Sequence, residues 1–207
     1  MDQEHRDNET AQDNSKQTEK NGVGRSLLVY VHDLAYLIAV MMVVFLLLFK
    51  VVVVSGPSMK NTLLDGDYLL LLSGTLYQDP QPGDVIVASK DSFENGVPIV
   101  KRVIAVEGQT VDIDFSKGIV YVDGIALDEP YISSPTTVAE GVHFPLTVKE
   151  GCIFVLGDNR GVSLDSRNPR VGLLDCREIL GKAIFLFLPG TDGGTQERDL
   201  SRIGVFK

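Results

Sequence analysis

Between residues 27 and 54 the chain is an almost unbroken run of Leu, Val, Ile, Met, Phe, Tyr and Ala, with His32, Asp33 and Lys50 as its strongly polar interruptions. A helix needs about 20 apolar residues to cross the hydrocarbon core of a bilayer. The run exceeds that length, so a membrane span is expected, with residues 26–54 as an anchor. A cleaved secretory signal would carry an apolar stretch of only about 7 to 15 residues ending at a small-residue cleavage site, and no such site follows here. His32 and Asp33 fit the entry interface, and Lys50 can reach toward the far one. Lys16, Lys20 and Arg25 precede the run while Lys50 and Lys60 follow it, so the positive-inside bias leans towards a cytoplasmic N-terminus.

The residues before the run are of the opposite character. Residues 1–22 are rich in Gln, Asn, Asp, Glu and Lys and nearly devoid of aliphatic and aromatic side chains, so they bury too little surface to offset the entropy of ordering. A disordered cytoplasmic tail over 1–25 is the expectation. The tail adds to a formal net charge of −9 and a pI near 4.8. That balance excludes a nucleic-acid partner, which needs a basic face to displace counterions from phosphate. The two cysteines, Cys152 and Cys176, lack CxxC spacing or a neighbouring His pair, so neither a zinc site nor a thioredoxin-like motif is supported. Whether they are paired or free stays open, because spacing alone does not supply disulfide geometry.

Beyond the run the hydrophobic period shortens. Segments 68–72, 84–88, 99–106, 110–113, 119–122, 152–156 and 183–188 are short and apolar or alternating. Between them stand turn pairs such as Asp65-Gly66, Pro82-Gly83, Asn95-Gly96, Asp123-Gly124 and Pro189-Gly190. The pattern predicts a mostly β domain over 55–190, followed by a C-terminal tail over 191–207. No repeat of 20 to 50 residues is present, which argues against a propeller or solenoid.

Three segments of this domain carry candidate chemistry: 55–63 around Ser58, 100–103 around Lys101, and 157–167, which opens Gly-Asp-Asn-Arg. Each has a plain alternative. Ser58 fits a turn serine in a Gly-Pro context. Lys101 alternates with Ile99, Val103 and Ala105 on one strand face, while Arg102 points with Val100 and Ile104. A lysine against an apolar face either extends its ammonium to water or loses proton affinity through desolvation. The Gly-Asp-Asn-Arg run fits an ordinary turn, and Asp165 with Arg167 fits a surface ion pair. His5, His32 and His143 fall in the tail, the apolar run and a loop, which leaves a Ser-His-Asp triad without parts. No carboxylate pair or P-loop marks a sugar, metal or phosphate site. Ser58 with Lys101 remains, because a neutral amine can take the hydroxyl proton as the oxygen attacks an amide carbonyl.

In this order the three segments resemble the motifs of bacterial type I signal peptidases, in their compact Gram-positive-type form. The serine box of that family, approximately G-x-S-M-x-P-T-L, is matched by Gly56, Ser58, Met59, Thr62 and Leu63. Lys101-Arg102-Val103-Ile104 resembles the lysine box. Gly157-Asp158-Asn159-Arg160 with Ser163, Asp165, Ser166 and Arg167 resembles the third box. The chain departs from the pattern at Asn61, where the family usually has Pro, at Gly161-Val162 and at Asn168-Pro169-Arg170.

The resemblance implies Ser58 as nucleophile and Lys101 as base, Ser163 hydrogen-bonding the lysine amine, and Asp165 with Arg167 as a supporting ion pair. It implies an antiparallel β-sheet catalytic domain behind the transmembrane helix, with a small β cap over about 110–147, and no cofactor or metal. The Ser58 backbone N–H is the expected oxyanion donor. Gly56 has no hydroxyl to supply a second one, and a missing donor costs about 10²–10³ in rate elsewhere. The expected activity is cleavage of signal peptides with small residues at −1 and −3 from secretory preproteins, by a domain on the extracytoplasmic side in contact with membrane lipid. Two other functions fit parts of the pattern: an inactive membrane-anchored homologue that binds signal sequences, and a LexA-like self-cleaving Ser-Lys protein.

Overall fold

The computed structural model of the chain describes residues 28–90, 93, 96–191 and 197–205; the tail expected over 1–25 lies outside the described residues. The apolar run does not form one element. Its first part is a helix, α1 (Leu28–Leu48), of 21 mostly apolar residues. At 1.5 Å per residue this is about 31 Å, enough to cross a bilayer. Its last part is a strand, β1 (Phe49–Val53). The single span expected over 26–54 is therefore too long. From Val51 the sequence is a run of valines, whose branched side chains favour the pleated backbone. That backbone pairs residue for residue with β2 (Tyr68–Ser73).

The remaining strands are β3 (Val85–Ala88), β4 (Ile99–Val106), β5 (Thr110–Asp114), β6 (Ile119–Val122), β7 (Ile125–Ala126), β8 (Leu146–Thr147), β9 (Cys152–Leu156), β10 (Leu174–Asp175) and β11 (Ile179–Leu188). They make two sheets. Seven strands lie in the order β1-β2-β11-β3-β4-β9-β10 and four in the order β7-β6-β5-β8. Every pairing between named strands is antiparallel. The fold is mostly β, with one N-terminal apolar helix and a curled antiparallel sheet.

Three apolar clusters hold the domain together. One packs Ile86, Val103, Val155 and Leu174 around the centre of the large sheet. A second joins Leu69, Leu71, Val85 and Val87 to Met59 and Leu63 of the β1–β2 loop. The third seats the small sheet, through Val111, Val120 and Val122, on Ile104, Ala105, Phe154 and Leu156 of β4 and β9. A register shift between Val103 and Ala105 against β9 explains why Ala105 joins Ile104 in this third cluster. Strict alternation would have left it on the face of Ile99, Lys101 and Val103.

Residues 127–145, between β7 and β8, form no regular element but cross the 157–167 segment as a strap. Ser133 N–H donates to the Asp158 carbonyl at 3.1 Å and Val142 N–H to the Arg167 carbonyl at 3.0 Å. Glu129 and Glu140 pair with Arg160 and Arg167. The small sheet is thus tied to the large one by polar contacts as well as by its core.

Candidate active site

Ser58 lies in the loop from β1 to β2, whose base is closed by hydrogen bonds from Val54 N–H to the Asp67 carbonyl and from Gly66 N–H to the Val54 carbonyl. Met59 and Leu63 are fully buried one helical turn apart, with Leu63 N–H donating to the Met59 carbonyl at 2.9 Å. These anchors leave Ser58 at the half-buried rim. The third segment grips it from the other side. Asn159 N–H donates to the Ser58 carbonyl at 2.9 Å, and its side-chain amide donates to the Pro57 carbonyl at 3.0 Å. Gly157 has to be glycine: a Cβ there would lie 2.1 Å from Ser163 Oγ and 2.5 Å from the Ser58 carbonyl oxygen.

Lys101 comes from the middle of β4 and is only 4% exposed. Its Nζ donates to Ser58 Oγ at 2.9 Å. Burial lowers the amine from the ordinary 10.5 to about 8; Asp165, Asp158 and Glu140 pull it back up, and the Arg167 guanidinium adds to the lowering. Desolvation dominates because Lys101 has no direct carboxylate partner among the described residues, so nothing close compensates the loss of water around its charge.

The structure brings Ser163, Asp165 and Arg167 beside this pair. Asp165 and Arg167 form a fully buried two-pronged ion pair, Nε to Oδ1 at 2.8 Å and Nη2 to Oδ2 at 2.9 Å. The second Asp165 oxygen also accepts the Gly157 N–H at 3.0 Å. Arg167 Nη2 further donates to the carbonyls of Arg160 and Ser163 at 2.9 and 3.1 Å, so the ion pair shapes the whole turn. Ser163 Oγ is buried and has no hydrogen-bond partner among the described residues. The Ser163–Lys101 hydrogen bond implied by the sequence motifs is therefore not formed in this arrangement; the amine is turned to Ser58.

Several residues of the site were not anticipated. Arg102, next to Lys101, makes its own buried two-pronged pair with Asp158, at 2.8 and 2.7 Å, and Thr62 Oγ1 donates to the same carboxylate at 2.5 Å. Arg160 pairs with Glu129, and Arg102 stacks on Tyr131 with 4.0 Å from guanidinium carbon to ring centroid. An Arg in an apolar strand and an Asp in a turn motif were the available signals, but nothing in their spacing joins them. Asn61 has φ of +92°, a value closed to proline, so the departure from Pro accompanies a different backbone at this point.

A cleft of about 220 Å³ opens at Ser58 and Lys101, lined by Val52, Val53, Val54, Val87, Val97 and Ile99 among others. Valine and isoleucine side chains line most of it, and Ser55, Ser58 and Lys101 give it a polar end. Its wall includes β1, an edge strand of the large sheet. Among the described residues nothing at the cleft gathers carboxylates or imidazoles for a metal, and the chemistry it offers is that of a hydroxyl next to an amine.

The family model described as "Signal peptidase, peptidase S26" matches residues 27–188. The chain is 34% identical over 172 residues to a signal peptidase I of Bacillus licheniformis, covering 79% of this chain and 90% of that protein. It is 37% identical over 149 residues to a probable signal peptidase I-1 of Synechocystis, covering 68% of this chain and 72% of that protein. A solved signal peptidase I from Enterococcus faecalis aligns with TM-score 0.43 at 32% identity, covering 50% of this chain and 96% of that one. With the family model spanning the apolar run and most of the β domain, the chain belongs to the signal peptidase family, peptidase S26, and is a signal peptidase I.

Proposed function

We propose that this peptidase works as a membrane-anchored serine endopeptidase that releases signal peptides from secretory preproteins through a Ser58–Lys101 dyad. The observation that carries the reading is a 2.9 Å contact between Ser58 Oγ and a buried lysine amine whose proton affinity is lowered to about 8. While the amine is charged, the hydrogen bond runs from Nζ to Oγ. Once it is neutral, the hydroxyl can donate instead, and the amine can take that proton as Oγ attacks the scissile carbonyl.

The tetrahedral intermediate places its oxyanion at the Ser58 backbone N–H. Collapse breaks the C–N bond, and the protonated amine returns its proton to the departing amino group. Water then enters with Lys101 again as base, forms the second tetrahedral intermediate and releases the signal peptide from Ser58. Asp165 and Arg167 hold the 163–167 turn, and Ser163 Oγ stands ready to orient the amine when Lys101 turns from Ser58.

The small volume of the valine-lined cleft suits small side chains at −1 and −3, and the unpaired side of β1 can hydrogen-bond an extended peptide. Ser58 follows the apolar run by a few residues, which supports a domain working at the lipid surface, and Lys16, Lys20 and Arg25 before the run favour a cytoplasmic N-terminus with that domain extracytoplasmic, where cleavage sites emerge. Protease added to cells stripped of outer barriers should then degrade the β domain, and full protection of it would reverse this orientation.

Incubation of detergent-solubilised protein with a precursor, with mass determination of the new N-terminus, tests the activity. Wild type should cut after a small-x-small site, and Ser58→Ala should not. Substantial cleavage by purified Ser58→Ala protein would remove Ser58 as nucleophile. In wild type, kcat/KM should rise with pH to a midpoint near 8, the value at which Lys101 loses its proton.

A further inference from the structure

Two buried side-chain polar atoms lack a hydrogen-bond partner among the described residues, Ser163 Oγ and Glu140 Oε2. Both belong to residues that meet on one guanidinium nitrogen. Arg167 Nη2 lies 3.2 Å from Glu140 Oε1 and donates to the Ser163 carbonyl at 3.1 Å. Glu140 is on the strap, far in sequence from the serine, lysine and Gly-Asp-Asn-Arg segments. The strap encloses Arg167 on three sides: the Val138 carbonyl accepts from Nη1 at 3.0 Å, Val142 N–H donates to the Arg167 carbonyl at 3.0 Å, and Glu140 sits between them.

Asp165 already balances the guanidinium charge with a two-pronged pair, so Arg167 does not need a second carboxylate for its own neutralisation. Bringing one into a mostly buried place beside Asp165 costs desolvation and like-charge repulsion, and burial does raise the Glu140 carboxyl above its ordinary range, with Asp165 adding to it and Arg167, Asn168 and Lys101 opposing it. A group held at that cost calls for a compensating role, and the positive charge nearby that has no direct carboxylate partner is Lys101.

We propose that Glu140 is a positioning residue for Lys101: through Arg167 it locks the strap to the 163–167 turn beside the amine, and it gives the Asp165–Arg167–Glu140 group a surplus negative charge. The charged groups whose fields reach the Lys101 amine are Asp165 and Arg167 from the turn, Asp158 from the start of the same segment and Glu140 from the strap. The paired strand β3 carries no charged side chain, and the serine loop contributes the Ser58 hydroxyl. Asp165 and Asp158 raise the amine more than Glu140 does, but each is paired with an arginine of its own, Asp165 with Arg167 and Asp158 with Arg102. Glu140 shares an arginine already taken, and the surplus negative charge of the Asp165–Arg167–Glu140 group acts on Lys101. Removing it therefore lowers the proton affinity of Lys101, making the amine neutral at a lower pH.

This inference rests on the dyad reading for its catalytic consequence, but the proton affinity of Lys101 can be measured without it. The probe is competitive acetylation of amines in the detergent-solubilised full chain across pH, with peptide mass spectrometry reporting Lys101. Glu140→Gln is isosteric and keeps an acceptor for Arg167. It should move the Lys101 midpoint down by about half to one pH unit, as expected for one partly screened charge. Glu140→Asp, which keeps the charge, should stay within about 0.3 pH unit of wild type, and should the Gln protein not fold, Glu140→Ser takes its place with the same expected fall. The kcat/KM midpoint should follow the labelling midpoint in each variant. A Glu140→Gln midpoint equal to wild type, or a Glu140→Asp midpoint lowered by a full unit, would overturn the proposal and leave Glu140 as a mere strap fastener. A labelling midpoint that falls while the kcat/KM midpoint stays fixed would support the action of Glu140 on Lys101 and sink Lys101 as the general base.

Discussion

Lys101 and Arg102 are adjacent in β4, both basic and both almost completely buried, yet their surroundings are opposite. Arg102 has every prong occupied: two hydrogen bonds to Asp158, one to the Gly83 carbonyl, and a stacked ring on Tyr131. Lys101 has a hydroxyl and no carboxylate in contact. The same strand thus buries one charge with full compensation and its neighbour with little. A buried charge that is paired behaves as part of the frame, and its removal is costly because the partner is left uncompensated. A buried charge left unpaired loses proton affinity instead, and that loss makes the group available for chemistry at ordinary pH.

The strongest test of this division exchanges the two kinds of cation. Lys101→Arg keeps the charge but not a removable proton, since a guanidinium stays protonated throughout the accessible range. Cleavage of a precursor should fall by about 10³ or more, the scale of a lost general base. Arg102→Lys, which changes the neighbour by the same chemistry in reverse, should keep kcat/KM within about tenfold while weakening the fold, because one ammonium does not reproduce a two-pronged pair. An active Lys101→Arg protein would end the dyad mechanism even with signal-peptide cleavage established.

A second test asks for stability rather than rate. Arg102→Met strands Asp158 in a site with 0% exposure and should destabilise the domain by roughly 3–5 kcal/mol, read from urea unfolding followed by fluorescence or circular dichroism. Asp158→Asn should act in the same direction. A loss of under about 1 kcal/mol in both would mean that the pair is no better than a surface bridge.

Lys101→Met should do the reverse. The folded amine releases its proton near 8, whereas in the unfolded chain it does so near 10.5. Below pH 8 both states are charged and the folded one bears the full desolvation cost, roughly 3 kcal/mol as an order of magnitude. Between 8 and 10.5 the unfolded chain binds more protons, so wild-type stability rises with pH; above 10.5 the cost is gone. The Met variant should therefore be the more stable protein at pH 7 and should lose that advantage by about pH 10.5. A wild type that matches it at pH 7 would show that the amine is better compensated than its contacts indicate.

These contrasts were unequally legible in the amino-acid sequence. The serine loop, the central lysine strand and the Gly-Asp-Asn-Arg turn are short local patterns, and locality is what a sequence displays directly. Alternation along β4 also separated Lys101 from Arg102, and it went astray only past the register shift at Val103–Ala105, which depends on the partner strand β9. The ion pairs were beyond reach for another reason: Arg102 meets Asp158 across 56 positions, and Arg160 meets Glu129 across 31. Any of several acidic residues could have served each arginine as far as spacing goes. The strap was hidden in the same way, because residues 127–145 have no hydrophobic period and derive their course from contacts with Arg160 and Arg167. The helix-to-strand change at Phe49 was masked by hydrophobicity itself, since the run stays apolar on both sides and only the valines mark the change of backbone.

The smallest expected effect lies at Asn61, which joins the two halves of the comparison. The Ser58 end of its loop is held by Asn159, on the side of Lys101, and the Thr62 end by Asp158 and Arg102. Between them Asn61 turns the chain at φ +92°, a left-handed region that costs most L-residues about 1 kcal/mol or more and that Asn and Gly enter with the least penalty. Asn61→Gly should therefore leave stability within about 0.5 kcal/mol and kcat/KM near wild type. Asn61→Ala should lose about 1 kcal/mol, because its Cβ pays the steric cost without the local hydrogen bonding open to Asn. Asn61→Pro is the informative extreme, since its ring fixes φ near −65° and the turn has to be rebuilt. If the two ends of the loop are held independently, the Pro variant should lose its Thr62–Asp158 contact and some stability but keep cleavage, with Ser58 still gripped by Asn159. If activity falls in step with stability across Gly, Ala and Pro, the loop moves as one body, and the separation between a structural Arg102 side and a chemical Lys101 side fails at this point.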